Sequence, residues 1–243
     1  LSLPDDAEYA VLEMGMNHKG EIRPLAALVR PDVGIITNVL AVHMWDFNST
    51  EEIADEKSEI FSSMNENGIA ILNYDNPHYE HCKQKAKVRN IYSFGSNEGA
   101  DMRFMSYESD GFESKLQFAI RNEIIDVLTK ITGRHRAGNI GTILLVADVL
   151  KLDLQKAAMV FKDLSSLEGR GQKIKTKLNA HECLLINDCY NAAPSAMQNS
   201  LIEVGEIHHP NKIAILADMK ELGPNEIEYH TELEKFVLDA GIK

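Results

Sequence analysis

Short apolar runs alternate along the chain with longer stretches in which apolar residues recur every three or four positions. Residues 9–12, 33–37 and 68–73 are continuous apolar segments bounded by turn formers, a pattern that predicts strands buried on both faces. Between them, residues 21–29 carry helical periodicity. Ser49-Thr50-Glu51-Glu52 is a capping box opening a helix to about Met64, and Asp75-Asn76-Pro77 opens another. Strands and helices spaced in this way predict an α/β fold, a mostly parallel sheet with flanking helices. Residues 88–128 change character. Alternating stretches at 115–120 and 123–128, with turn signals at Asn97-Glu98-Gly99 and Asp110-Gly111, predict a small antiparallel subsheet. Helices follow at about 138–150 and 154–164.

Residues 165–171, Ser-Ser-Leu-Glu-Gly-Arg-Gly, have the composition of a linker and divide the chain into domains of residues 1–171 and 172–243. In the second domain an apolar run at 184–188, a helix opened by Pro194, a second run at 213–218 and a helix from about Glu226 repeat the parallel βα pattern. The strand expected at residues 9–12 starts abruptly, and the second domain is short, so both ends read as cut into a longer architecture.

Composition narrows the function. Of the 243 residues, 44% are hydrophobic and 26% charged, which is the mix of a folded globular chain. The formal net charge of −12 comes without any basic block, which disfavours sequence-independent binding to nucleic acid. Cys82, Cys183 and Cys189 show no paired spacing, as expected in a reducing compartment such as the cytoplasm. No apolar run approaches the roughly 18 residues of a membrane span. Neither G-x-x-x-x-G-K-[ST] nor G-x-G-x-x-G occurs, so this chain lacks the usual glycine-rich phosphate cradle.

In open parallel sheets ligands bind beyond the carboxyl ends of the strands. Glu13, Asn38, Asp188 and Asp218 all follow apolar runs and are candidates, although turns need polar residues in any case. Lys57 is more specific, because Ile53, Lys57, Ile60, Phe61 and Met64 share one helical stripe. A lysine there either snorkels or pairs with Asp55, Glu56 or Glu59, or else loses its proton to burial. A neutral amine can act as base or nucleophile, or take up carbon dioxide as an anionic carbamate. His43 is either a metal ligand or a packed loop histidine. Glu13, His43 and a modified Lys57 would suit a hydrated Mg2+ gripping a phosphate. His78, His81 and Cys82 have metal-like spacing but no second ligand cluster, and His208-His209 precedes Pro210 in a turn.

Glu13-Met14-Gly15-Met16-Asn17-His18-Lys19-Gly20-Glu21-Ile22 resembles the EMGxNxxGEI signature of the Mur ligases. Further blocks follow in the family's order. They are Arg30-Pro31-Asp32, Thr37-Asn38, His43, residues 53–61, Gly133-Arg134-His135 with Asn139, and Gly169-Arg170. The last are residues 188–194, Asp218-Met219-Lys220-Glu221-Leu222-Gly223 and His230. The resemblance implies the family's central ATP-binding domain followed by part of a Rossmann-like C-terminal domain. It places the family's phosphate loop just upstream of Leu1 and its UDP-sugar domain outside this chain. It further implies ATP-dependent amide ligation joining D-alanyl-D-alanine to UDP-N-acetylmuramoyl-tripeptide through an acyl phosphate, carried out by a cytoplasmic monomer with no nucleic-acid or membrane partner. The signature and the DMKELG block favour this activity over the diaminopimelate- or lysine-adding ligases and over folylpolyglutamate synthase. A non-catalytic module and a metal-dependent hydrolase are the readings from other classes.

By the same resemblance, Glu13, His43 and Lys57 are catalytic residues and Mg2+ ligands, with Lys57 carbamylated. Asn139, Arg136, Arg170, Asp188 and Asn38 are assigned to the ATP cofactor: Asn139 near the adenine, Arg170 on the phosphates, and Asp188 on the nucleotide when the C-terminal domain closes. The chain departs from the family pattern at Arg136, which stands at the first Asn of HNxxN. It departs again at Ala193 within YNANP, at Ser195-Ala196 just after it, and at Ala217 before Asp-Met.

Overall fold

Period-two alternation splits the core of the first two thirds of the chain into two layers on one sheet. The computed structural model describes residues 3–41 and 45–242. The sheet has strands β1 (Val33–Ile36), β2 (Ile69–Asn73), β3 (Asn90–Gly95), β4 (Met102–Ser109), β5 (Ser114–Ile120) and β6 (Glu123–Thr129), in chain order. The first four are parallel, with Val33 opposite Ile69 and Ile69 opposite Asn90, whereas β4–β5 and β5–β6 are antiparallel. The antiparallel strands therefore extend the parallel sheet through β3–β4.

On one face, Ala70 and Leu72 of β2 pack with Ile36, Phe47, Ile53, Ala54 and Phe61, beneath α1 (Ile22–Val29), α2 (Thr50–Ser58) and α3 (Tyr79–Lys85). On the other, Ile71 packs with Phe94, Met102 and Phe118 against α4 (Ala137–Val149) and α5 (Leu154–Val160). Two glycines permit close layers. A Cβ on Gly34 would lie 2.8 Å from Met64 Sδ, and one on Gly141 would collide with Met102. Ser49 caps α2 by accepting from Glu52 N at 3.3 Å, as the capping box predicts. The helix then tightens into a 3-10 turn at Glu59–Phe61.

Beyond the 165–171 segment, β7 (Gln172–Leu178) and β8 (His181–Asn187) form an antiparallel hairpin. Helices α6 (Pro194–Glu206) and α7 (Glu226–Asp239) then pack around Leu201, Met219, Leu222 and Leu233. No helix among the described residues is long and apolar enough to cross a membrane.

Three expected strands are corrected. The run expected at 184–188 falls in β8 as far as Asn187, and β8 pairs antiparallel with β7 rather than continuing a parallel βα series. Asn179 and Ala180, at φ 48° and 68°, make the two-residue turn of a hairpin, a conformation that alanine does not advertise. Residues 9–12 and 213–218 form no strand, and Val11 and Ile215 are 97% and 96% exposed. A doubly buried strand needs ladder partners on its edges and layers on its faces, and no described strand pairs with either run.

Candidate functional site

Three segments meet along the carboxyl ends of β1 and β2. Asn38, just after β1, accepts a 2.5 Å hydrogen bond at Oδ1 from Asn76 Nδ2, and Asn76 Nδ2 also donates to the Val39 carbonyl at 2.9 Å. Asn73 Nδ2 donates to the Thr37 carbonyl at 3.1 Å. These amides tie the two strand ends together around a small cavity lined by Ile36, Asn38, Leu72, Asn73, Asn76 and His78. His78 bonds Thr50 Oγ1 at 2.8 Å and His81 bonds Asp55 Oδ1 at 2.8 Å. Both histidines thus fasten α3 to α2, and among the described residues no cluster of histidine, cysteine and carboxylate side chains is arranged to hold a metal ion.

Lys57 lies half-buried on α2, four residues after the fully buried Ile53. The carboxylates beside it on the helix pair with other groups, although Glu59 Oε2 is buried without a partner. Glu56 accepts from the backbone amides of Gly20 and Ile22 at 2.8 and 2.9 Å, Glu59 pairs with Arg23 at 2.8 Å, and Asp55 pairs with Lys85 at 2.7 Å. Burial pushes the Lys57 pKa down from the ordinary lysine value, against a smaller opposing effect of the nearby Cys82 thiol. A lysine desolvated in this way has a larger neutral fraction and greater nucleophilicity than a surface lysine.

The segment bearing Glu13 is held to α2 by backbone amides. Glu21 accepts from the Asn17 and His18 amides at 2.7 and 3.1 Å, Asp46 accepts from Lys19 N at 3.1 Å, and Glu56 captures Gly20 and Ile22. Met14 and Met16 pack in the same core as Ile53. Glu13 is exposed and, among the described residues, makes no hydrogen bond or ion pair. His43 lies outside the described residues. Asp46 ties the chain just before α2 to the stretch that follows Glu13.

The remaining expected site residues gather at the junction with the C-terminal hairpin. Arg136 precedes α4, whose first turn carries the exposed Asn139 and packs near Phe94 at the carboxyl end of β3. Arg136 Nη1 donates to the Thr132 carbonyl at 2.6 Å and to Glu203 Oε2 at 2.7 Å. Its Nη2 donates to the Arg170 carbonyl at 3.4 Å and lies 3.9 Å from Asp188 Oδ1. The Arg170 guanidinium is 4.0 Å from the centre of the Tyr190 ring, and Ser200 donates to Asp188 Oδ2. Arg136, Arg170 and Asp188 therefore form one group, with Asn139 one turn along the helix, while Asn38 lies apart from it at the end of β1.

Sequence reasoning missed Glu56 and Glu203. Glu56 falls three residues after Ile53 and four before Ile60, in the stripe that marked Lys57, so the signal was present. Glu203 and its partner Lys173, in a strand of alternating lysines, carried no such signal.

An open sheet covered by helices on both faces, with polar groups converging on the carboxyl ends of its parallel strands, defines an α/β protein of ligand-binding type. Within that class the chain belongs to the Mur ligase family, because the profile of the Mur ligase middle domain matches residues 1–147. It is 37% identical, over 99% of its length and 53% of the relative's, to the UDP-N-acetylmuramoyl-tripeptide--D-alanyl-D-alanine ligase of Rickettsia prowazekii. A crystal structure of MurF from Acinetobacter baumannii superposes with a TM-score of 0.87 at 25% identity, covering 99% of this chain and 56% of that one. MurF ligase from Thermotoga maritima in complex with ADP superposes with a TM-score of 0.82 at 28% identity, covering 95% and 53%. The chain spans about half the length of the relatives it matches.

Proposed function

We propose that this chain is the central and C-terminal part of a ligase that uses ATP to join D-alanyl-D-alanine to UDP-N-acetylmuramoyl-tripeptide in the cytoplasm. Residues 1–171 would form part of the ATP-binding domain, without its phosphate loop, and residues 172–243 part of the C-terminal domain. The observation that carries the reading is Lys57, desolvated on α2 with every adjacent carboxylate engaged elsewhere, in a chain whose relatives bear this ligase name. The ADP in the Thermotoga maritima structure supports the nucleotide.

In this reading a carboxylate oxygen of the tripeptide attacks the γ-phosphorus of ATP and ADP leaves. The amine of the dipeptide then attacks the acyl-phosphate carbon, and phosphate departs. Glu13, His43 and carbamylated Lys57 would hold Mg2+. Two observations support this: among the described residues Glu13 has a free carboxylate, and Lys57 has no ion-pair partner to displace. Bound there, Mg2+ would neutralise phosphate charge as the acyl phosphate forms. Asn139, Arg170 and Asp188 would line the nucleotide crevice with Asn38 opposite, and closure around it would keep water from the acyl phosphate. Lys57→Ala in the natural gene product should abolish ATP-dependent ligation while leaving the fold intact. Normal ligation by that variant would overturn the reading.

A further inference from the structure

The cluster around Glu203 joins residues from three separate segments, 132–136, β7 and α6. Glu203 lies on α6 and is 5% exposed, yet its carboxylate serves two cations from different parts of the chain. Oε2 accepts from Arg136, at the start of α4, at 2.7 Å. Oε1 accepts from Lys173, on β7, at 2.8 Å. The Thr132 hydroxyl donates to the same Oε1 and accepts from Lys173. Burial alone would raise the Glu203 pKa. The Lys173 ammonium, the Thr132 hydroxyl and Arg136 outweigh burial and hold it below the ordinary glutamate value.

With Asp188 at 3.9 Å from Arg136, two cations face two carboxylates and the group is neutral overall. A buried network of this kind contributes little net stability compared with apolar packing, but it tolerates only one geometry. Its members come from both sides of the 165–171 segment, so that geometry is the placement of the C-terminal residues on the sheet domain.

We propose that Glu203 and Arg136 are the two halves of a latch. Glu203 is then a positioning residue that docks the C-terminal unit on the N-terminal end of α4, and Arg136 is its anchor rather than a nucleotide ligand. Nη1 spends both its N–H groups on Thr132 O and Glu203, and Nη2 donates to Arg170 O and lies beside Asp188, so the guanidinium is oriented by groups of this chain. The residues that the latch brings to the crevice are Arg170 and Asp188, whose backbone junction is also tied by Gly171 N to Asn187 O at 3.0 Å and Tyr190 N to Gly169 O at 3.0 Å. The arginine at a position where the family carries asparagine is thereby explained by a contact within this chain. The proposal rests on the reading of the crevice as an ATP site.

The test uses the natural gene product with Cys183 and Cys189 replaced by serine and spin labels at Ile143 on α4 and Ile227 on α7, both exposed. Glu203→Gln leaves one cation facing an amide nitrogen. An apolar triple, Arg136→Met with Lys173→Met and Glu203→Leu, removes the three most buried charges, leaves Asp188 with its Ser200 donor, and guards against a simple folding failure. The expected result is a narrow label distance in the parent, a broad one in Glu203→Gln, and a docked but less sharply defined one in the apolar triple. The KM for ATP should rise about tenfold if the docked population falls to about a tenth, while kcat changes less. An unchanged distance distribution in both variants would overturn the latch. So would a KM that stays at the parent value in Glu203→Gln but rises in Arg136→Met alone, since that pattern makes Arg136 a nucleotide ligand. Failure of the underlying reading is separable: Lys57→Ala would then ligate normally, with the label distances untouched by that substitution.

Discussion

Glu56 offers the most direct check on how the Glu13 segment is held. Its carboxylate is 7% exposed and accepts from Gly20 N at 2.8 Å and Ile22 N at 2.9 Å, supplying the N-terminal cap that Glu21, at the cap position of α1, does not make with its own side chain. A hydrogen bond to a charged acceptor contributes roughly 1.5–3 kcal/mol, and losing the acceptor strands the buried donor as well. Glu56→Ala removes both bonds at once. Because the two share one carboxylate they are not independent, and about 3 kcal/mol is the expected loss. For a domain of this size that is a fall in Tm on the order of 10 °C. Glu56→Gln keeps one acceptor oxygen but turns an NH2 group toward the second amide, so it should lose roughly half as much. Urea titration measures the energies, and hydrogen exchange locates them. Exchange should accelerate at Gly20 and Ile22 in both variants while the β2 amides stay protected. A Glu56→Gln protein as stable as the parent, or a loss of stability without faster exchange at those two amides, would refute the reasoning.

Other substitutions probe separate links. Ser49→Ala removes the side-chain acceptor for Glu52 N and should cost about 1 kcal/mol, read as a shift in urea midpoint at constant m value. Gly141→Ala forces a Cβ against Met102 and the Phe118 ring, with an expected cost of about 1–3 kcal/mol in the same titration. Acid should release the C-terminal unit. The Glu203 pKa is held down in the folded state, so its contribution is complete above the unfolded glutamate value of about 4.3 and is lost as pH falls below that toward the folded value. The label distances at Ile143 and Ile227 should broaden in that window in the parent, and should show no such transition in Glu203→Gln.

Elements whose signal is local are legible in the sequence. The capping box at Ser49, the proline that opens α6 and the alternation in β5 and β6 each specify structure within a few residues, and each element lies where its pattern places it. The strand expectations that failed, at residues 9–12 and 213–218, are runs whose apolar character reports a need for neighbours without naming them. The hairpin β7–β8 was hidden for the opposite reason. Its first strand alternates lysine with residues that stay largely at the surface, and its turn places an alanine at positive φ. Lys57 was visible as a charge inside a helical stripe. What periodicity could not show is that Asp55, Glu56 and Glu59 all turn to other partners, because those partners, Lys85, Gly20 and Arg23, are distant in sequence.

The same distinction explains how the segment bearing Glu13 is held beside α2. No described strand pairs with it, so no ladder fixes its path. Carboxylates that are not themselves candidate ligands supply the ties. Asp46 takes the Lys19 amide, Glu56 takes those of Gly20 and Ile22, and Glu21 closes the loop on Asn17 and His18. Each tie ends on a backbone amide, so it constrains the path of the chain rather than one rotamer. The residues free to contact a ligand are left unencumbered, and those that look most ordinary in the sequence determine where they stand. At the C-terminal junction the arrangement differs, because Glu203 binds side chains instead of amides. A side-chain tie can break without unfolding a loop. Rigid amide ties on the Glu13 side and a charge latch on the Arg170 side therefore put the capacity for movement at the hinge, and keep it away from the segments that would hold the cation.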